Sequence, residues 1–183
     1  KLVGIWAEFD DVSGTITLRH QDCGEITFNP DQDDAAFLAW VAPLCPADRA
    51  APKAIVKAEG RGMTDSEIPS VSVTNRSSHE AVESAIDHPL EMERWRANIW
   101  LDGIDAWDEL DWVGKKIRIG EAELEVREPI VRCLATATNP VTGVRDTDTL
   151  GALKNTFGHQ HFGVYAVVTK DGHVALGDQA QVL

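Results

Sequence analysis

Apolar and polar residues fall into short runs along this chain, most of them strand-sized and separated by glycine-, proline- or aspartate-containing turns. LVGIWAEF (2–9) reads as a strand, TITLRH (15–20) follows the Ser13-Gly14 turn, and a shorter EITF (25–28) comes next. Asp31, Asp33 and Asp34 precede an apolar-periodic segment that runs to about Val41, and acids there favour the positive end of a helix dipole, so a helix is predicted. The DQDD run is faintly like a calcium loop but lacks the glycine and distal glutamate such a loop requires. Pro43 to Pro52, rich in proline and alanine, reads as a connector.

A second pattern begins near Ile68. VSVTN (71–75) is a strand, and Ser77-x-x-Glu80 is read as a capping box opening a helix through Ala81, Val82, Ala85 and Ile86, closed by Pro89. In RWRANIWLDG, taken as a strand ending at Asp102-Gly103, Arg96 and Asn98 share a face with Trp100. KKIRIGEAELEVRE holds two strands around a Gly120-Glu121 turn, and Leu150, Leu153 and Phe157 space out a short amphipathic helix from Asp148. FGVYAVVTKDGHVALGDQAQVL is read as the clearest hairpin, turning at Asp171-Gly172. The prediction is a mainly β chain: a closed or nearly closed barrel of mixed strands with a few peripheral helices. It divides into an N-terminal β-rich subregion with one helix (1–67) and a barrel core (68–183), the two packed as one unit.

Composition narrows the function classes. With 183 residues and 43% hydrophobic content the chain can bury an ordinary core. A net charge of -13 opposes nucleic acid or an anionic membrane as partner, so an anionic ligand has to be met by a local basic patch. No apolar run approaches the roughly 20 residues of a membrane span, and no secretory signal is visible. The start at Lys1 without methionine fits a trimmed or processed chain. Cys23, Cys45 and Cys133 are odd in number and far apart, with no C-x-x-C pair, which favours reduced thiols in the cytoplasm over a zinc knuckle or a disulfide framework. The Asn75-Arg76-Ser77 sequon means little without a secretory signal.

Four groups of residues are candidates for chemistry. Cys133 follows Arg132 in an apolar run, and a thiolate there can ligate a soft metal or carry sulfane sulfur. In a regular strand Arg132 points away from Cys133, with Thr136 and Thr138 on the Arg132 side, so activation of the thiol requires the strand to end nearby or charge to come from elsewhere. Arg96 and Asn98 supply a guanidinium fork and an amide, with Arg94 either a second anion contact or a solvated arginine at a helix end. His159-x-His161 would face one way on a strand, but no third ligand lies near in sequence and His173 would have to arrive through the fold; ordinary hydrogen bonding is the reading taken. Asn139-Pro140-Val141-Thr142-Gly143 has turn chemistry of its own, and its amides could also line an anion site. G-x-S-x-G, G-x-G-x-x-G and the P-loop pattern are absent.

Arg132-Cys133, Thr136, Asn139-Pro140-x-Thr142-Gly143, Phe162-Gly163-Val164-Tyr165 and Gly177-Asp178, in this order, resemble the MOSC family, named after the C-terminal domain of molybdenum cofactor sulfurases. RWRANIWLDG resembles the family's arginine-x-asparagine stretch, and Trp107, Glu109 and Trp112 another family segment, expected here to pack the barrel's closure. The resemblance implies a β-barrel associated with molybdenum cofactor (molybdopterin) or with sulfur delivery. Cys133 would be molybdenum ligand or sulfur acceptor, with Arg96, Asn98, Arg132, Thr136 and Asn139 around the cofactor. It implies a small oxidoreductase acting with a redox partner, or a sulfur carrier working with a donor or acceptor protein; a barrel serving only as an interaction module is the third reading. Two departures stand out. The family's lysine-bearing N-terminal segment would lie upstream of this chain's start, and Ile130 stands where many relatives have another cysteine. Sulfurase-type relatives also carry a pyridoxal-phosphate lyase, which nothing here resembles.

Overall fold

The computed structural model describes residues 2–57, 59 and 66–183. The chain forms two compact units: Lys1–Gly60 with Thr138–Asp146, and Arg61–Ala137 with Thr147–Leu183. Segment 138–146 thus belongs to the first unit, although strands of the second flank it in sequence.

The first unit is a three-stranded antiparallel meander of β1 (Trp6–Asp10), β2 (Thr15–His20) and β3 (Gly24–Phe28), followed by helix α1 (Asp34–Val41). The predicted first strand starts later than expected, because Leu2–Gly4 form a 3-10 turn. Asp33 is the N-cap of α1 and Asp34 occupies its first turn, as the acid run implies. The small core gathers Leu18, Phe28, Val41 and Leu44, with Phe37 stacked on Phe28 at 5.3 Å.

The second unit is built on a curled, mixed six-stranded sheet, a half-barrel with order β5-β4-β8-β7-β6-β9. Its strands are β4 (Val71–Asn75), β5 (Ile99–Leu101), β6 (Lys116–Ile119), β7 (Ala122–Val131), β8 (His161–Lys170) and β9 (Ala180–Val182), and only β4 and β5 pair in parallel. Helices α2 (Arg76–Ile86) and α3 (Thr149–Phe157) complete it. One core cluster joins Val73, Ile117, Leu124, Val126 and Val164; another joins Val82, Trp95, Leu153 and Phe162. The chain is therefore mainly β with mixed strands and few helices, as its patterning predicts.

Three expectations are corrected. β8 and β9 do not form a hairpin: both edges of β8 are taken by β4 and β7, so the C-terminal strand pairs with β6 instead. The intervening segment lies on the Gly120-Glu121 turn, where the Glu121 amide donates to the His173 carbonyl at 3.0 Å. Second, α2 is not opened by a Ser77–Glu80 box. Asn75 is its N-cap, accepting from the Ser77 amide at 3.0 Å, while Glu80 pairs with Arg76. Third, Arg96 does not lie on a strand face with Trp100, since Met92–Trp95 form a 3-10 turn, Arg96 is left-handed (φ 49°) and β5 starts only at Ile99. Among the described residues no helix is long and apolar enough to cross a membrane.

Candidate functional site

β7 brings the cysteine segment into place. It carries register shifts between Val126 and Glu128 and between Pro129 and Val131, and Pro129, which cannot donate to the ladder, sits between them. The strand ends at Val131, so Arg132 and Cys133 are released from strand alternation, and Leu134–Ala137 turn away as a 3-10 helix. The strand end required for Arg132 and Cys133 to escape opposite faces is therefore present. Cys133 is a free, exposed cysteine. The Thr136 hydroxyl closes the turn behind it, donating to the Cys133 carbonyl at 3.0 Å and bonding the Thr149 hydroxyl at 2.7 Å.

Arg132 points inward rather than toward water. Its Nε donates to the Phe162 carbonyl at 2.9 Å and its Nη1 to the Trp95 carbonyl at 2.8 Å. The guanidinium carbon lies 5.7 Å from the Trp95 ring centre and 5.6 Å from that of Phe162, two rings that stack on each other at 3.7 Å. Arg94, on one side of Trp95 in the chain, is buried and paired with Glu91 at 2.6 Å. Arg96 follows on the other. Asn98 anchors the neighbouring strand: its amide oxygen accepts from the Ser72 backbone at 3.0 Å and the Ser72 hydroxyl at 2.8 Å.

These residues surround a cavity of about 650 Å³. Arg94, Arg96, Asn98, Arg132, Cys133 and Thr136 all line it. Residues that sequence reasoning did not select for a site line it too, chiefly Ser72, Trp95, Glu128 and Tyr165. Ser72 and Glu128 each stand opposite Tyr165 in the ladder, so the three form a row across β4, β8 and β7. Tyr165 was visible as the end of the Phe162–Tyr165 motif; Ser72 and Glu128 carried no signal of their own. Glu128 is the one carboxylate among the described lining residues, against three arginines.

Asn139 lies in the first unit, where it builds its own loop. Its side-chain oxygen accepts from the amides of Val141 and Thr142, and its carbonyl from the Gly143 amide. Those three amides are thus engaged in the turn. His159 and His161 stack at 5.7 Å, and the His161 amide donates to His159 Nδ1 at 3.3 Å. Burial, then the neighbouring His161, lowers the pKa of His159. Among the described residues no group of three or more histidines, cysteines or carboxylates could hold a metal ion. Glu109 is wholly buried between Asn75 and Ser78, and burial raises its pKa above the usual carboxylate range. Trp107 packs on Phe157 and His159, and Trp112 packs against the first core cluster.

The MOSC domain family matches residues 65–181, most of the chain and all but the last residue of the sheet that carries the cavity. The chain belongs to the MOSC family. Over 103 residues it is 33% identical to the molybdenum cofactor sulfurase of Drosophila ananassae, a stretch covering 54% of this chain and 13% of that protein. Over 109 residues it is 30% identical to mitochondrial amidoxime reducing component 2 of Macaca fascicularis, covering 53% of this chain and 32% of that protein. The chain thus spans a minor part of the length of the curated relatives it matches. Among solved structures, the YUAD protein of Bacillus subtilis aligns over 61% of this chain and 62% of its own at 16% identity, with a TM-score of 0.47. YiiM from Geobacillus stearothermophilus aligns over 62% and 53% at 18% identity, with a TM-score of 0.45.

Proposed function

We propose that this MOSC protein binds molybdenum cofactor, with Cys133 as the molybdenum ligand and the arginine side of the cavity holding the anionic part of the pterin. The observation that carries this reading is an exposed thiol at a cavity walled by Arg94, Arg96 and Arg132, in a chain whose net charge is -13. The names of the sulfurase and reducing-component relatives point to the same cofactor or to redox work.

The donor set fits the group. A thiolate suits a soft metal, guanidinium forks suit a phosphate, and the volume falls within the range of small-molecule sites, roughly 300–1,000 Å³. Arg132 would present its charge from a fixed position, since two carbonyls and two ring faces hold it. Thr136 would fix the backbone behind the thiol. Asn98 would offer its amide NH₂, because its oxygen is engaged by Ser72. When bound, the molybdenum centre would supply oxygen-atom or electron transfer, with a redox partner as electron source.

The test is elemental analysis for molybdenum on protein produced in a host that makes the cofactor, beside its Cys133→Ser variant. Stoichiometric metal that disappears in the variant supports the reading; metal in neither protein sinks it. The exposure of Cys133 favours one second reading, a sulfur carrier. In that chemistry the Cys133 thiolate attacks the terminal sulfur of a donor persulfide, the donor's S–S bond breaks, and the donor leaves as a thiolate. A mass gain of one sulfur atom on Cys133, in metal-free protein, would identify it.

A further inference from the structure

Trp95 is the hub of the cavity's cationic side. It is completely buried, it stands between Arg94 and Arg96 in the chain, and its carbonyl accepts from Arg132 Nη1 at 2.8 Å. What holds Trp95 lies outside the cavity. Its indole Nε1–H donates to His79 Nδ1 at 2.9 Å, from helix α2. An indole nitrogen only donates, so Nδ1 must carry a lone pair and the imidazole proton must sit on Nε2. The surroundings of the ring agree: Nε2 is 3.5 Å from Glu83 Oε1, and the Leu90 backbone carbonyl accepts a hydrogen bond from the imidazole. His79 also meets the Trp100 ring edge-on at 5.7 Å.

We propose that His79 is the positioning residue of the arginine-lined cavity: as an acceptor at Nδ1 it fixes the Trp95 indole, and Trp95 fixes Arg132 beside Cys133. The chain of contacts is continuous, from Glu83 through His79 to Trp95, then by ring stacking to Phe162 and by two carbonyls to Arg132. Proton uptake at Nδ1 would turn the acceptor into a donor facing another donor and release the indole. Burial favours the neutral ring, opposed by Glu83 and Glu80 and assisted by Arg76, all on its own helix; Trp95 and Trp100, which face it from the other elements, are uncharged. This role does not depend on which ligand the cavity takes.

The experiment reads protein resonances, so it stands apart from cofactor loading. Solvent exchange of the Arg132 Nε–H and the Trp95 indole N–H is measured by NMR in wild type, His79→Leu and His79→Asn. Asparagine can offer an oxygen near the Nδ1 position; leucine offers none. We expect His79→Leu to speed Arg132 Nε–H exchange by about tenfold or more, while His79→Asn stays much closer to wild type. Unchanged Arg132 protection in a folded His79→Leu protein, whatever its unfolding midpoint, would overturn the proposal and leave His79 an ordinary core residue. If His79→Leu does not fold, His79→Gln, whose amide reaches past the Nδ1 position, is read in the same way, and unchanged Arg132 protection there overturns the proposal.

Discussion

Glu109 shows how much one buried group can commit the structure to. Its carboxylate accepts from Asn75 Nδ2 at 3.1 Å and from the Ser78 hydroxyl at 3.1 and 3.2 Å, and backbone amides of Glu109 and Gly163 add to these. Burial still outweighs those bonds and raises its pKa. The sign follows directly: the folded protein keeps this proton longer than the unfolded chain does, so stability is lost as pH rises from the ordinary value of 4.5 toward the raised one. Glu109→Gln, which retains one acceptor and cannot ionise, should remove that loss. The check is urea unfolding of both proteins between about pH 4.5 and pH 8. Wild type should lose stability relative to the variant as pH rises, and parallel curves would show that Glu109 does not titrate across the range. His79 works at the opposite end. Its lowered pKa means that its contribution is present above the ordinary histidine value of 6.5 and is lost as pH falls through the folded value. At this scale the sequence marked side chains that line the cavity but not their partners. Arg132 and Cys133 stood out as a pair, whereas the bond from His79 to Trp95 joins a helix to a 3-10 turn and has no local signature.

β8 is the element on which the second unit depends, because it is paired on both edges and supplies Phe162 to the aromatic stack. Gly163 makes that position possible. Its φ is +74°, and an added Cβ would come within 2.6 Å of both Thr74 Cγ2 and the Val73 carbonyl oxygen. Neither the conformation nor the space suits a side chain, so Gly163→Ala should destabilise by at least about 2 kcal/mol, read as a lower urea midpoint. A change under about 0.5 kcal/mol would show that the strand relaxes around the methyl group. Asn75, at the end of the neighbouring strand, has three tasks: capping α2, donating to the Asp105 carbonyl at 2.6 Å, and donating to Glu109. Asn75→Ala should therefore exceed the ~1 kcal/mol of an ordinary cap, and thermal unfolding would register it. It is also completely buried, so the sequon it begins is not an accessible acceptor. Elements were well legible where periodicity was local: β4, α3 and the β6–β7 hairpin fall where their patterns put them. Pairing was not. A run such as 162–183 looks like a hairpin because a turn lies in its middle, yet which edges are already occupied is a property of the assembled sheet.

At the scale of the molecule, charge runs in two directions. The chain as a whole carries -13, but the described wall of the cavity sets three arginines against one carboxylate. The first fact is legible in composition. The second depends on Trp95 holding Arg132 beside Arg94 and Arg96, which sequence separates by a strand and a hairpin. The two make opposite demands on salt. Surface pairs such as Arg19–Glu8, Arg76–Glu80 and Arg127–Glu125 are substantially exposed, so each contributes little, and screening removes little with them. Repulsion among the excess carboxylates is the larger net term, and it too is screened. Raising NaCl from about 10 mM to about 150 mM shortens the Debye length from about 30 Å to about 8 Å, which should raise the urea midpoint. A midpoint that falls with salt would mean that attractive pairs outweigh the excess charge. Ligand association should respond in the same direction at the outset, since the global field repels an anion and only contacts within the cavity attract it. An anionic ligand should therefore arrive faster as salt first screens the surface, and dissociate faster once salt competes at the arginines. Stopped-flow rates at several ionic strengths would separate the two, with Arg96→Gln expected to raise dissociation more than it lowers association.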